Sequence, residues 1–185
     1  PHGWIKSELG GTDDDAAWLW SPQLFSPRKR PVVMTRVRLG NQSNVKYEFG
    51  FGTPVTSPND ATIDGFVNVK DTPTSNTGFA GNYAVICYDS DDDTSIDLVA
   101  QNRSTTTRAA RSGGPTVGVE FTLMIAINEH GGIRSWVDGA PAAQLEVQPL
   151  ASSAAFGTQA SVPTVRTIQD ARHGADSRVS IWAFC

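Results

Sequence analysis

Cysteine is nearly missing from this 185-residue sequence: Cys87 sits in an apolar stretch and Cys185 is the last residue. Two cysteines so far apart form neither a disulfide framework nor a metal site of zinc-like spacing, and no bridge between them is expected. Histidine is almost as scarce. His2, His130 and His173 all fall in segments of turn or loop composition, and no Gly-x-Ser-x-Gly elbow exists for one of them to serve. A phosphate loop and a dinucleotide fingerprint are also lacking. No apolar run approaches the roughly 20 residues of a membrane-spanning helix, so no membrane partner is expected. Positive charge is in short supply too. With a formal net charge of −4, the sequence is not that of a strongly basic nucleic-acid binder. No basic-then-apolar segment opens it, and Pro1 is not an initiator residue, so its start carries no information about export.

What is present is ordinary in amount, 39% hydrophobic and 18% charged residues, and long enough for one domain to bury a core without staples. The clearest stretch runs from Glu120 to Gly139. Phe121, Leu123, Ile125 and Ile127 share one face of an extended strand, the period of two that marks a half-buried strand. His130-Gly131-Gly132 can reverse the chain. Ile133, Ser135 and Val137 then alternate up to Asp138-Gly139, a strong hairpin signal. Two such turns in succession make an antiparallel meander.

The same alternation recurs upstream. Val33, Thr35, Val37 and Leu39 face one way, with Met34, Arg36 and Arg38 opposite. Tyr47, Phe49 and Phe51 form an apolar face, with Lys46 and Glu48 pointing outward. Tyr83, Val85 and Cys87 alternate with Ala84, Ile86 and Tyr88, which reads as a strand buried on both sides. Weaker strands are expected near Gly65 to Lys70, Ser95 to Ala100, Thr105 to Ala109, Ser161 to Gln169 and Arg178 to Phe184. No amphipathic helix is evident beyond a turn around Gln169 to His173. About ten short strands between Gly, Asn, Asp, Ser and Pro clusters predict an all-β protein, a two-sheet antiparallel sandwich. Residues 1–31 differ: they hold Gly10-Gly11, the acidic run Asp13 to Asp15, and Trp4, Trp18 and Trp20. They read as an extended N-terminal arm with one short strand or turn around Ala16 to Trp20, ahead of a sandwich domain at 32–185.

Candidate chemistry is thin. Asp89, Asp91 and Asp93 match the opening of a calcium loop, but Thr94 replaces its glycine and Ala100 its closing acid, so the expectation is a solvated acidic hairpin tip with no metal. Glycoside hydrolysis needs two acids flanking the scissile bond. No acid-x-acid pair lies within a strand, so no catalytic residue is assigned and no cofactor is implied. The aromatics stand out instead. Trp182 and Phe184 share one face of the last strand, and Trp136 points away from Ile133 and Val137. Such rings serve as core cover, as a protein interface, or as a platform on which sugars stack.

The order of features resembles the concanavalin A-like (LamG-like) jelly-roll domains of tailed-phage virion proteins. It runs from the Arg-flanked Thr35-Arg36-Val37-Arg38 through Tyr47-Glu48-Phe49-Gly50-Phe51-Gly52, Cys87-Tyr88-Asp89 and Thr105-Thr106-Thr107. Leu123-Met124-Ile125-Ala126-Ile127, Trp136-Val137-Asp138-Gly139, Val162-Pro163-Thr164-Val165-Arg166 and Val179-Ser180-Ile181-Trp182 complete it. The resemblance covers about Val32 to Phe184 and implies a two-sheet jelly roll in a non-enzymatic virion structural protein. That protein would decorate the capsid or another particle surface after assembly in the host cytoplasm. It would contact the major capsid protein or another virion protein, as a homo-oligomer, with Trp4, Trp18, Trp20, Trp136, Trp182 and Phe184 as candidate partner-binding residues. The same sandwich also carries lectins and glycan-binding modules, and the alternative expectation is a carbohydrate-binding module for a surface glycan, less readily a glycan-active enzyme.

Overall fold

The structure is a computed structural model. It describes residues 29–40, 45–52, 67, 82–90, 92, 94–101, 108–109 and 113–145, and the backbone of residues 5–8, 17–20, 68–69, 74–75, 102, 105–107, 110–111, 162–167 and 176–182. Fourteen strands lie among them: β1 (Ile5–Glu8), β2 (Ala17–Trp20), β3 (Val32–Arg38), β4 (Lys46–Gly52), β5 (Val67–Val69), β6 (Thr74–Ser75) and β7 (Tyr83–Asp89), followed by β8 (Ile96–Asn102), β9 (Thr105–Arg111), β10 (Glu120–Ile127), β11 (Ile133–Val137), β12 (Ala140–Leu145), β13 (Val162–Thr167) and β14 (Asp176–Trp182). The expectation of about ten falls short because strands of two to four residues, such as β1 and β6, are too brief for a period of two to register.

Two six-stranded sheets result. The first has the order β1-β14-β3-β10-β11-β12 and the second β2-β13-β4-β7-β8-β9, with β5 and β6 forming a separate ribbon. All pairings in the two sheets are antiparallel. Consecutive strands β1 and β2 sit in opposite sheets, as do β3 and β4, and β13 and β14. This exchange of the chain between facing sheets is the jelly-roll arrangement expected from the sequence. Within the 1–31 segment, β1 pairs with β14 and β2 with β13, each at a sheet edge.

The inward faces interdigitate as the alternation predicts. Val33, Val37, Phe121, Leu123, Ile125, Ile133 and Val137 from the first sheet meet Tyr47, Phe49, Phe51, Ile86, Tyr88 and Leu98 from the second in one buried cluster. Each such side chain contributes roughly 1.5–3 kcal/mol when fully withdrawn from water. Turn chemistry sets the register of the meander. Asp138 and Gly139 both take positive φ, 51° and 76°, between the paired Val137 and Ala140, which gives the two-residue turn that matches strand twist. Asn128 closes the preceding loop, its Oδ1 accepting from the amides of His130 and Gly132 at 2.9 and 2.8 Å.

A second, smaller cluster lies on the other face of the second sheet. Val67 of the ribbon covers Tyr83, Val85, Cys87 and Val99. β7 is therefore buried on both sides, as its composition predicts, and Cys87 is a buried thiol outside any disulfide.

Candidate functional site

The outward face of the second sheet is sealed rather than open. Lys46 and Glu48, expected on the outward face of their strand, are 9% and 0% exposed. Val67 of the ribbon lies over Glu48, and each buried charge has a partner, as burial requires. Glu48 Oε1 accepts from the Val67 amide at 2.9 Å, and Lys46 Nζ lies 3.3 Å from Asp89 Oδ2. Arg108 Nε donates to Asp97 Oδ2 at 2.8 Å while the Ser95 hydroxyl donates to Oδ1. Burial pulls the Lys46 pKa down, but Glu48, Cys87 and Asp89 outweigh it and hold the ammonium above its ordinary range. Asp89 is thus not at a solvated hairpin tip; it is 7% exposed and part of this network.

Glu48 and Asp97 both stand opposite Cys87 in the ladder, which puts two carboxylates on one face. Adjacent-residue patterns could not reveal this, because the acids come from strands far apart in sequence. Both carboxylates are buried and occupied by donors, Glu48 by the Val67 amide and Asp97 by Arg108 and Ser95, so neither is presented to a substrate. Glu129 is not poised as a general acid either: the Arg30 guanidinium, 2.7 Å away, holds its carboxyl below the usual range.

The outward face of the first sheet differs. The ladders place Met34, Met124, Trp136 and Pro141 in one row across β3, β10, β11 and β12, with Trp182 of β14 at the next register position beside Met34. Arg134 and Gln144 are directly paired in a neighbouring row. Met34, Met124 and Trp136 are half-buried, while Arg134, Pro141 and Gln144 are exposed. Elsewhere on this sheet, Arg36 of β3 pairs loosely with Glu120 of β10 at 3.5 Å, an exposed contact of small energetic consequence.

A local irregularity opens this face into a groove. Trp136 pairs with Pro141 but Ser135 pairs with Ala143, so Ala142 is an extra residue in the edge strand β12. A bulge of this kind bends the edge and re-aims neighbouring side chains, and a proline is tolerated only on such an edge. The resulting open groove has a volume of about 330 Å³ and is lined by Arg134, Ser135, Trp136, Pro141, Ala142, Ala143 and Gln144. It combines an indole and a proline ring with a guanidinium and an amide.

Of the aromatics singled out from sequence, Trp136 thus lines the groove, on the face expected for it. Trp18 and Trp20 lie on β2 at register positions opposite Arg166 and Thr164 of β13, and their side chains lie outside the described residues, as does that of Trp182. Trp4 and Phe184 lie wholly outside them. Among the described residues no group of three or more His, Cys, Asp or Glu could hold a metal ion.

No family model matches the sequence, and no curated protein matches it. Solved structures do. The potassium-bound carbohydrate recognition domain of Emp46p aligns with a TM-score of 0.58 at 12% identity, over 97% of this chain and 88% of that one. A heptameric SAP-like pentraxin from Limulus polyphemus aligns with a TM-score of 0.53 at 12% identity, over 97% of this chain and 77% of the pentraxin. An endo-acting O-glycanase from the human gut microbiota aligns with a TM-score of 0.58 at 10% identity, over 100% of this chain and 81% of that one. At such identities the likeness is one of fold: the chain is a concanavalin A-like, lectin-like jelly roll.

Proposed function

We propose that this chain is a non-enzymatic, lectin-like carbohydrate-binding module that holds a saccharide in the groove beside Trp136. The groove itself carries the reading. A half-exposed indole offers an apolar platform for the C–H face of a sugar ring, and Arg134 and Gln144 supply hydrogen-bond donors beside it. An apolar surface with a few placed polar groups is the general form of a small-ligand site. The likeness to the Emp46p carbohydrate recognition domain supports the same reading at the level of fold. The two acids that the fold brings together, Glu48 and Asp97, are buried and engaged by the Val67 amide and Arg108, which supports a non-enzymatic role. The test is titration of the full chain against a panel of immobilised oligosaccharides. Saturable, sugar-competable binding is expected, with loss in Trp136→Ala at an almost unchanged melting midpoint. Full binding by a folded Trp136→Ala would remove the groove from consideration.

A second reading keeps the chain on a phage particle, as a capsid decoration or other surface protein bound to the major capsid protein or another virion protein. Its support is the order of strand patterns together with the apolar row Met34, Met124 and Trp136 on an outward sheet face, a composition suited to a protein interface. Peptide mass spectrometry on density-purified particles from the source culture tests it. Stoichiometric recovery is the expected result under this reading, and absence from particles ends it.

A further inference from the structure

The groove has one charged group on its walls, and its sign is positive. Arg134 lines it without any carboxylate beside it among the lining residues. Three other described arginines are matched by acid: Arg30 with Glu129, Arg36 with Glu120 and Arg108 with Asp97. Arg134 makes no such pair among the described residues. It shares its strand face with Trp136, two residues on, a spacing of roughly 7 Å along an extended chain. Gln144 stands directly opposite it on β12. An indole, a guanidinium fork and an amide therefore line a single opening.

From this arrangement we infer that the saccharide is acidic, carrying a carboxylate of the uronate or sialate kind, with the sugar ring on Trp136 and the carboxylate on Arg134. The inference rests on the carbohydrate-binding reading and names the ligand class for that site. A planar guanidinium matches a carboxylate with two parallel hydrogen bonds, which gives both strength and direction. A neutral sugar would use the indole and Gln144 but leave the charge of Arg134 unanswered. Gln144 would then accept or donate to a neighbouring hydroxyl, setting the orientation of the ring.

The experiment is titration calorimetry on the full chain with matched probes: sialyllactose against lactose, and oligogalacturonate against its methyl-esterified form. The expected result is binding of at least one acidic probe roughly tenfold or more tighter than its neutral counterpart. That preference should shrink as salt is raised from about 50 mM to about 500 mM, since an exposed pair is screened. Arg134→Gln should abolish the preference while keeping the weaker, neutral-level binding, and Trp136→Ala should abolish both. Equal or tighter binding of the neutral probes, or an acidic preference that survives in Arg134→Gln, overturns the inference and leaves the carbohydrate reading standing. No binding of any saccharide across a wider panel overturns both. Melting curves of each variant establish that the comparison is between folded proteins.

Discussion

The backbone amide of Val67 donates a 2.9 Å hydrogen bond to Oε1 of Glu48, joining the β5–β6 ribbon to the middle of the second sheet. Val67 and Glu48 are both fully buried, so the bond forms away from water, where an unmade bond is expensive. It helps close the face on which the fold brings two acids together, whereas the opposite sheet carries the open groove beside Trp136.

Glu48→Ala should therefore destabilise the protein by about 3 kcal/mol, because it orphans a buried amide and removes a charge facing Lys46. Glu48→Gln keeps an acceptor for the amide and should cost less, about 1–2 kcal/mol. Urea unfolding of the three proteins checks the order. Equal losses in both variants would mean that the amide bond contributes nothing.

The fold was readable because its strands obey a period of two. Every inward position named on β3, β4 and β10 is buried, and the Asp138-Gly139 turn is where the sequence places it. What the pattern cannot convey is a third layer. Alternation says that Glu48 points outward, but outward becomes inward once Val67 of the β5–β6 ribbon lies on top. The groove was half readable. Trp136 is marked by being an aromatic on a polar face, and Arg134 shares that face by simple alternation. Pro141 and Gln144 join them only through a bulge at Ala142, a register event that no residue type announces.

Lys46 should shape the alkaline limb of stability. Its folded pKa lies above the ordinary 10.5, so its stabilising contribution is complete below about 10.5 and is lost as pH climbs through the raised value. Lys46→Met leaves Asp89 buried without its ammonium and should cost about 3 kcal/mol near neutrality. Above about pH 10.5 the variant should decline less steeply than the parent. Urea midpoints measured at intervals from about pH 8 to about pH 11.5 compare the slopes; parallel curves would contradict the raised pKa.

Tyr47 offers the opposite case, a polar atom better removed. Its hydroxyl is buried beside Thr35 in the main core with no hydrogen bond of regular geometry. Burial also pushes the phenol pKa well above its usual value near 10. Tyr47→Phe should thus leave stability unchanged or raise it by about 1 kcal/mol at neutral pH. Because a raised pKa costs stability as pH climbs past the unfolded value, the variant should also resist alkaline unfolding better above about pH 10. A loss of more than about 1 kcal/mol at neutral pH would show that the hydroxyl is bonded.

Gly50 is required by its neighbour rather than by a turn. A Cβ there would sit 2.2 Å from the carbonyl oxygen of Ala84 and 2.9 Å from Cα of Val85, both backbone atoms of β7. The adjoining strand cannot yield without breaking its ladder, so Gly50→Ala should cost about 3 kcal/mol or more. A chemical-denaturation midpoint close to that of the parent would show that β4 and β7 can part at little expense.

The hairpin that carries the groove depends on Asp138 in two separable ways. Its φ of 51° lies in the left-handed region, and its Oδ1 accepts from the Thr122 amide at 2.7 Å, tying the turn to β10. Asparagine keeps both properties, glycine keeps only the backbone freedom, and alanine keeps neither. Stability should consequently fall in the order Asp138→Asn, Asp138→Gly, Asp138→Ala, with the last losing about 2 kcal/mol. Saccharide affinity should follow the same order, because Trp136 and Pro141 flank this turn and their pairing frames the groove. Calorimetric titration beside thermal melts separates the two effects. Affinity that is indifferent to all three changes would place the binding surface elsewhere on the sheet.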